Sequence, residues 1–187
     1  MNLIVGGSSG LGKALTDFFS ENEKTVVVSR RNIDSTKKNI LPIQLDINNE
    51  NLDNLYNKIS KNELSHIFFT AGLIDWENDD IFLDSIKSEN ILKTNFLSIK
   101  KIVAELIKRD KLKANCLICF SSSVSTMFPR QKQIAYCSAK SALNAYVSSL
   151  TKYLYINDYN YRIANLILGY MDTEMNKNIN LPLKKEN

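Results

Sequence analysis

Short apolar runs alternate with longer amphipathic stretches along the whole chain. Residues 3–6, 25–29, 41–45, 66–70, 116–121 and 162–168 are mostly rich in Val, Ile, Leu and Phe with little polar alternation. That is the pattern of parallel strands covered on both faces. Helical periodicity occupies residues 11–22, 51–61, 88–109 and 135–154. In the third of these the apolar stripe is Leu92, Phe96, Ile99, Val103 and Leu106, and in the fourth it is Leu143, Val147, Leu150 and Leu154. Only residues 30–40 join the second and third strands, so a stunted connection is predicted there in place of a full crossover helix. The alternation predicts an α/β fold, a doubly wound parallel sheet with right-handed crossovers and helices on both faces. Ligands of such sheets bind beyond the carboxyl ends of the strands. Residues 6–12, 70–72, 121–123 and 169–173 all fall at those ends.

With 187 residues the chain is expected to form a single domain over 1–187. Its net charge of +4 is spread along the sequence, which argues against nucleic-acid or membrane binding. No apolar run reaches the ~20 residues of a bilayer span, and Met1-Asn2-Leu3-Ile4-Val5 does not resemble a signal peptide, so a cytoplasmic location is expected. Three cysteines are no disulfide framework. Cys116 and Cys119 lie on a predicted strand, where residues three apart face opposite sides, so core packing is expected and not metal or redox chemistry. The single histidine, His66, begins a strand and reads as structural.

Candidate chemistry enters with the first strand, which runs into Gly6-Gly7-Ser8-Ser9-Gly10-Leu11-Gly12. A glycine turn between a strand and a helix lets backbone N–H groups approach a dinucleotide pyrophosphate. Gly6, Ser8, Ser9, Gly10, Leu11 and Gly12 are therefore candidate cofactor contacts. The second strand ends in Ser29-Arg30-Arg31, with no acid where an NAD ribose would need one. Arginine suits a 2′-phosphate, so NADP(H) is preferred over NAD(H), with Arg30 the stronger candidate and Ser29 a hydrogen-bond donor. Tyr136 and Lys140 lie one helical turn apart, and Ser123 stands thirteen residues before the tyrosine. A phenol beside a lysine cation can act as general acid and base, with Ser123 holding the same substrate oxygen.

These residues bring the chain to a known family: it resembles the classical short-chain dehydrogenases/reductases over about residues 1–175, with the motifs in the expected order. The resemblance implies a Rossmann-type domain and hydride transfer between a nicotinamide and a carbonyl or secondary alcohol. It further implies that Asp46 and Ile47 contact adenine, and that Asn95 completes an Asn-Ser-Tyr-Lys tetrad with Ser123, Tyr136 and Lys140. In the tetrad the asparagine kinks its helix and holds a water leading protons to the lysine. Lys140 would also hold cofactor ribose hydroxyls. Ala71 and Gly72 match the turn after the fourth strand, and Gly169, Met171 and Thr173 match the segment that clasps the nicotinamide carboxamide. The partner implied is a small carbonyl or alcohol substrate, and homodimers or homotetramers built on the two long helices are expected.

Three features depart from the family pattern. Thr70 replaces an asparagine and Leu168 a proline. The sequence also ends at Asn187, before the family's substrate-covering helix and seventh strand, which predicts an incomplete substrate wall and an exposed sixth strand. The segment 124–134, with Phe128, Pro129, Arg130 and Lys132, should border the pocket; its basic residues are expected to be solvated in the main, the alternative being that they favour an anionic substrate, phosphorylated or carboxylated. Trp76 is a second candidate for the pocket wall, and Asp79 and Asp80 read as a helix start. Two other functions share parts of the pattern. A non-catalytic NADP(H) sensor would not need the full tetrad, and a nucleotide-sugar epimerase would carry a large C-terminal region.

Overall fold

The computed structural model of the protein describes residues 1–33, 37–49, 51–74 and 85–173. Six parallel strands form one sheet: β1 (Asn2–Val5), β2 (Thr25–Ser29), β3 (Ile40–Gln44), β4 (Leu64–Phe69), β5 (Leu112–Ser123) and β6 (Tyr161–Leu168). Their order is β3-β2-β1-β4-β5-β6. The chain therefore winds outward one way from β1 and then the other way from β4, leaving a switch point between those two strands. Val5 is level with Val28 on one side and with Phe69 on the other, so the three strand ends open onto one crevice.

Helices α1 (Gly10–Ser20), α2 (Asp53–Asn57), α3 (Ser85–Leu92), α4 (Ser98–Lys108) and α5 (Ile134–Ile156) supply the outer layers. Strand residues divide by alternation. Leu3, Val5, Cys116, Ile118 and Phe120 join a core with Ile99, Ile102, Val103 and Leu106 of α4 and Leu143 and Val147 of α5. Ile4, Phe68 and Cys119 pack against Leu15 and Phe19 of α1 on the opposite face. Cys116 and Cys119 thus lie in separate cores, as a strand period of two requires. Burial pushes the Cys116 thiol up to about 12 and raises that of Cys119, so both are packing groups. His66 is held by Asn2 at 2.8 Å, and burial lowers its pKa.

The expected helix over 88–109 is not one continuous α-helix. A π-helical turn, Lys93–Leu97, separates α3 from α4. Its cause is a side chain: the Asn95 amide Nδ2 donates to the carbonyl of Ile91 four residues earlier, at 2.9 Å, competing for the place of the α-helical N–H. The extra residue in the turn changes the helical phase, so Ile91 is buried where periodicity pointed to Leu92. The second helix is shorter than 51–61 and β5 longer than 116–121. Between β2 and β3 the described residues contain turns and no helix. β6 pairs with β5 on one side, and Leu166 and Ile167 are exposed. No helix among the described residues is long and apolar enough to cross a membrane. Trp76, Asp79, Asp80 and residues 174–187 lie outside the described residues.

Candidate active site

The crevice above the switch point is a cleft of about 510 Å³, within the range of small-molecule sites. Its floor is the glycine turn. Gly6 has φ +98°, and a Cβ there would stand 2.4 Å from the Ala71 nitrogen, so the β1 and β4 ends meet backbone to backbone. That packing is pinned by Val5, whose carbonyl accepts from the N–H groups of Thr70 at 2.9 Å and Ala71 at 2.8 Å. A Cβ on Gly12 would lie 2.2 Å from the Gly6 oxygen and 2.5 Å from Thr70 Oγ1. Thr70 stands where the family has asparagine, and its hydroxyl donates to the Val5 carbonyl at 3.0 Å, supplying local hydrogen bonding. Gly12→Ala should therefore lose about 2 kcal/mol of stability, because overpacking at backbone outweighs the helix-propensity gain. Urea unfolding measures it.

The cofactor candidates converge on this cleft. Gly6, Ser8, Ser9, Gly10, Leu11 and Gly12 line one end with Ser29, Arg30, Arg31, Asp46 and Ile47. Ala71 and Gly72 form the middle, and Gly169, Met171 and Thr173 the side above β6. Thr173 reaches across to the glycine turn, where a Cβ on Gly10 would meet its Cγ2 at 3.2 Å. Ser29 Oγ accepts from the Arg31 N–H at 3.0 Å, and Arg31 Nη2 donates to Ser9 Oγ at 3.2 Å. Arg31 thereby ties the β2 end to the glycine turn. The Arg30 guanidinium has no hydrogen bond or ion pair with the described residues. Asp46 Oδ1 accepts from the Asn48 N–H at 2.9 Å, which fixes the turn after β3.

Ser123, Tyr136 and Lys140 line the other end of the cleft. Ser123 closes β5, and its Oγ accepts from the Ser125 N–H at 3.2 Å. Tyr136 and Lys140 occupy successive turns of α5, with Lys140 Nζ 5.7 Å from the Tyr136 ring centroid. Lys140 is 4% exposed, and its Nζ donates to the Ser121 carbonyl at 2.8 Å. Burial lowers its pKa from 10.5 to about 8. Burial also raises the Tyr136 pKa, against a hydrogen bond with Ser123 and the positive charge of Arg130, which pull it down. The free protein therefore holds a neutral phenol at physiological pH.

Asn95 is the one tetrad candidate that does not line the cleft. It is fully buried behind the wall, and Nδ2 donates to Leu73 O at 2.7 Å while Oδ1 accepts from Leu73 N at 3.4 Å. Its amide clamps the segment after β4. The expected segments 121–123 and 124–134 do border the cleft, and they contribute Ser122, Ser125 and Gln133, to which sequence reading gave no role; Thr94 is a further polar group of the wall that it did not place there. The side chains of Ser122, Ser125 and Gln133 each leave a buried polar atom without a partner among the described residues.

The glycine turn fits a pyrophosphate, since it lines the cleft at the N-terminus of α1, where a helix offers backbone N–H groups to an anion. The comparisons with known proteins agree with this architecture. The family model for short chain dehydrogenases matches residues 1–184. The chain is 29% identical over 197 residues to 2,5-dichloro-2,5-cyclohexadiene-1,4-diol dehydrogenase LinX of Sphingobium indicum, covering 95% of this chain and 75% of that enzyme. It is 30% identical over 166 residues to (21S)-21-acetoxyl-apo-melianone synthase SDR of Melia azedarach, covering 79% of this chain and 59% of that protein. Among solved structures, a short chain dehydrogenase family protein of Francisella tularensis superposes with a TM-score of 0.83 at 24% identity, over 93% of this chain and 71% of that one. A 4-hydroxyisoleucine dehydrogenase complexed with NADH and succinate gives a TM-score of 0.81 at 21% identity, over 94% and 78%. A Burkholderia cenocepacia short chain dehydrogenase in complex with NADP gives 0.80 at 17% identity, over 97% and 77%. With the parallel sheet, the glycine turn and the family match over almost its whole length, this chain belongs to the short-chain dehydrogenase family of oxidoreductases.

Proposed function

We propose that the protein is an NADP(H)-dependent oxidoreductase that reduces a small carbonyl compound, or oxidises the matching alcohol, with Tyr136 as general acid and base. The observation that carries this reading is the meeting of Ser123, Tyr136 and Lys140 with the glycine turn in one cleft. A nicotinamide coenzyme held there supplies or accepts the hydride.

The residues divide the rest of the work. The glycine turn offers backbone N–H groups and the positive end of α1 to a pyrophosphate. Gly169, Met171 and Thr173, which line the cleft above β6, would clasp the nicotinamide carboxamide, as the family resemblance implies. Tyr136, kept protonated by burial, gives its proton to the carbonyl oxygen as the hydride arrives, and Ser123 hydrogen-bonds the same oxygen. Lys140 brings a cation to the phenol and lowers the cost of the phenolate. Asn95 acts at one remove, holding Leu73 and hence the cleft wall.

Coenzyme preference rests on the arginines. Arg30 is uncommitted among the described residues, whereas Arg31 already holds Ser9. Arg30 is therefore the group free to meet a 2′-phosphate by charge-assisted hydrogen bonds, each worth about 1.5–3 kcal/mol. Titration by fluorescence should show NADPH binding more tightly than NADH. Arg30→Ala should weaken NADPH about 10–100-fold while leaving NADH within about twofold. Tighter binding of NADH by the wild type would overturn the assignment. A panel of ketones and aldehydes, followed by NADPH consumption, tests the chemistry itself.

A further inference from the structure

The proposed reaction accounts for Ser123, Tyr136 and Lys140, but not for the polar groups buried beside them. Gln133 is 1% exposed and lines the cleft three residues before Tyr136, at the N-terminal boundary of α5. Its Nε2 has no hydrogen-bond partner among the described residues, and its side chain does not cap the helix. Ser125 is 3% exposed, lines the same cleft, and its Oγ is equally without a partner. The short turn that carries it, Val124–Thr126, packs directly on α5. A buried donor without an acceptor is destabilising, and natural proteins keep few of them. Here two line the same cleft as the proton-transfer pair, and both can donate.

The charge at this end has one sign. Arg130 lines the cleft mouth, has no ion pair among the described residues, and is close enough to Tyr136 to favour its phenolate. Lys140 is the buried cation beneath. No aspartate or glutamate among the described residues lines this end of the cleft; Asp46 stands at the opposite end with Arg30 and Ile47. Two neutral donors and a rim guanidinium, with no local counter-charge, are matched by an anionic acceptor with two oxygens.

We infer that Gln133 and Ser125, with Arg130 at the rim, form a carboxylate-recognition subsite, so that the substrate is an oxo acid or the corresponding hydroxy acid. The inference rests on the proposed carbonyl chemistry and adds the substrate class. The Gln133 amide and Ser125 hydroxyl donate to carboxylate oxygens while Tyr136 and Ser123 hold the reacting oxygen. Arg130 supplies the countercharge from the solvent side.

The test uses 2-oxo, 3-oxo and 4-oxo acids, each against its methyl ester, with NADPH as reductant. At one chain length the acid should exceed its ester by at least about 50-fold in kcat/KM. Gln133→Leu should cut that ratio at least tenfold, chiefly through the KM of the acid. Gln133→Glu, which replaces the donor by an acceptor of the same size, should erase the ratio. Gln133→Leu should also raise the thermal midpoint by about 2–4 °C, because an apolar isostere removes an unpaired buried donor. That shift needs no turnover and separates a ligand-directed amide from one that stabilises the helix start. Esters reduced as well as acids at every length, or an unchanged acid-to-ester ratio in both variants, would overturn the subsite. If NADPH binds but neither acids nor esters are reduced, the carbonyl chemistry fails. Calorimetry of 3-hydroxybutanoate with the NADP-loaded protein then decides the subsite, which requires binding weakened at least tenfold in Gln133→Glu.

Discussion

Tyr136→Phe should lower kcat by about 10³–10⁴-fold while leaving the dissociation constant for NADPH within about twofold. General acid–base catalysis by a placed side chain is worth about 10²–10⁴-fold, and in the proposed reaction the phenol would also position the oxygen that it protonates. The substitution removes a single oxygen atom. The ring keeps its place against Lys140 and the wall of α5, so the fold and the coenzyme end of the cleft are untouched. Stopped-flow measurement of hydride transfer, paired with equilibrium titration of NADPH, separates the two effects. A variant that retains a tenth of the wild-type rate would remove Tyr136 from the chemistry. Equal loss of coenzyme binding and rate would instead make it a binding residue.

Lys140→Met should abolish most activity and yet make the protein more stable. The ammonium is almost completely buried, and burial brings its pKa from 10.5 to about 8. At pH 7 the unfolded and folded chains both carry the proton, so the folded state bears the full cost of the buried charge, about 3 kcal/mol. The lost hydrogen bond to the Ser121 carbonyl returns about 1 kcal/mol of that. The variant should therefore gain about 2 kcal/mol at pH 7, or about 4–8 °C in midpoint for a chain of this size. The sign of the pH dependence follows from the lowered pKa. Between about 8 and 10.5 the unfolded lysine still binds a proton that the folded one has released, so wild-type stability rises with pH relative to the variant. The gap is largest below pH 8 and closes as pH passes 10.5. Denaturant unfolding of both proteins at pH 7 and pH 10 checks it, and a variant less stable at pH 7 would contradict the assignment. A residue that costs stability where it stands fits a functional role better than a structural one.

Much of this site could be read from the chain because it is built from local signals. The glycine turn, Ser29-Arg30-Arg31, Ala71-Gly72 and Ser123 each follow an apolar run, and parallel β-strands bring every such end to one edge. The stripe Leu143, Val147 and Leu154 also packs inward as its period required, because no side chain interrupts the backbone ladder of α5. The π-helical turn was not legible in the periodicity; only the family resemblance, which implies a kink at Asn95, pointed to it. Periodicity assumes 3.6 residues per turn, and one buried amide was enough to defeat it at Asn95. The Asn95 contact with Leu73 links segments 22 residues apart, which no local pattern reports. Gln133 and Ser125 lie in the segment 124–134 that was expected at the pocket, yet no role could be read for them, for a related reason. Nothing about a glutamine or a serine in sequence says that its polar atom will be buried without a partner; only packing reveals that.

The one-residue surplus at Lys93–Leu97 gives the molecule a built-in vulnerability to deletion. Loss of any residue in that turn would restore an uninterrupted α-helical ladder, and locally the helix would be better for it. The Ile91 carbonyl would return to a backbone N–H, and Asn95 would swing out of register with Leu73. A genetic change that improves the element would then slacken the loop beneath the coenzyme cleft. The surplus residue leaves this protein with a worse helix and a stiffer cleft wall.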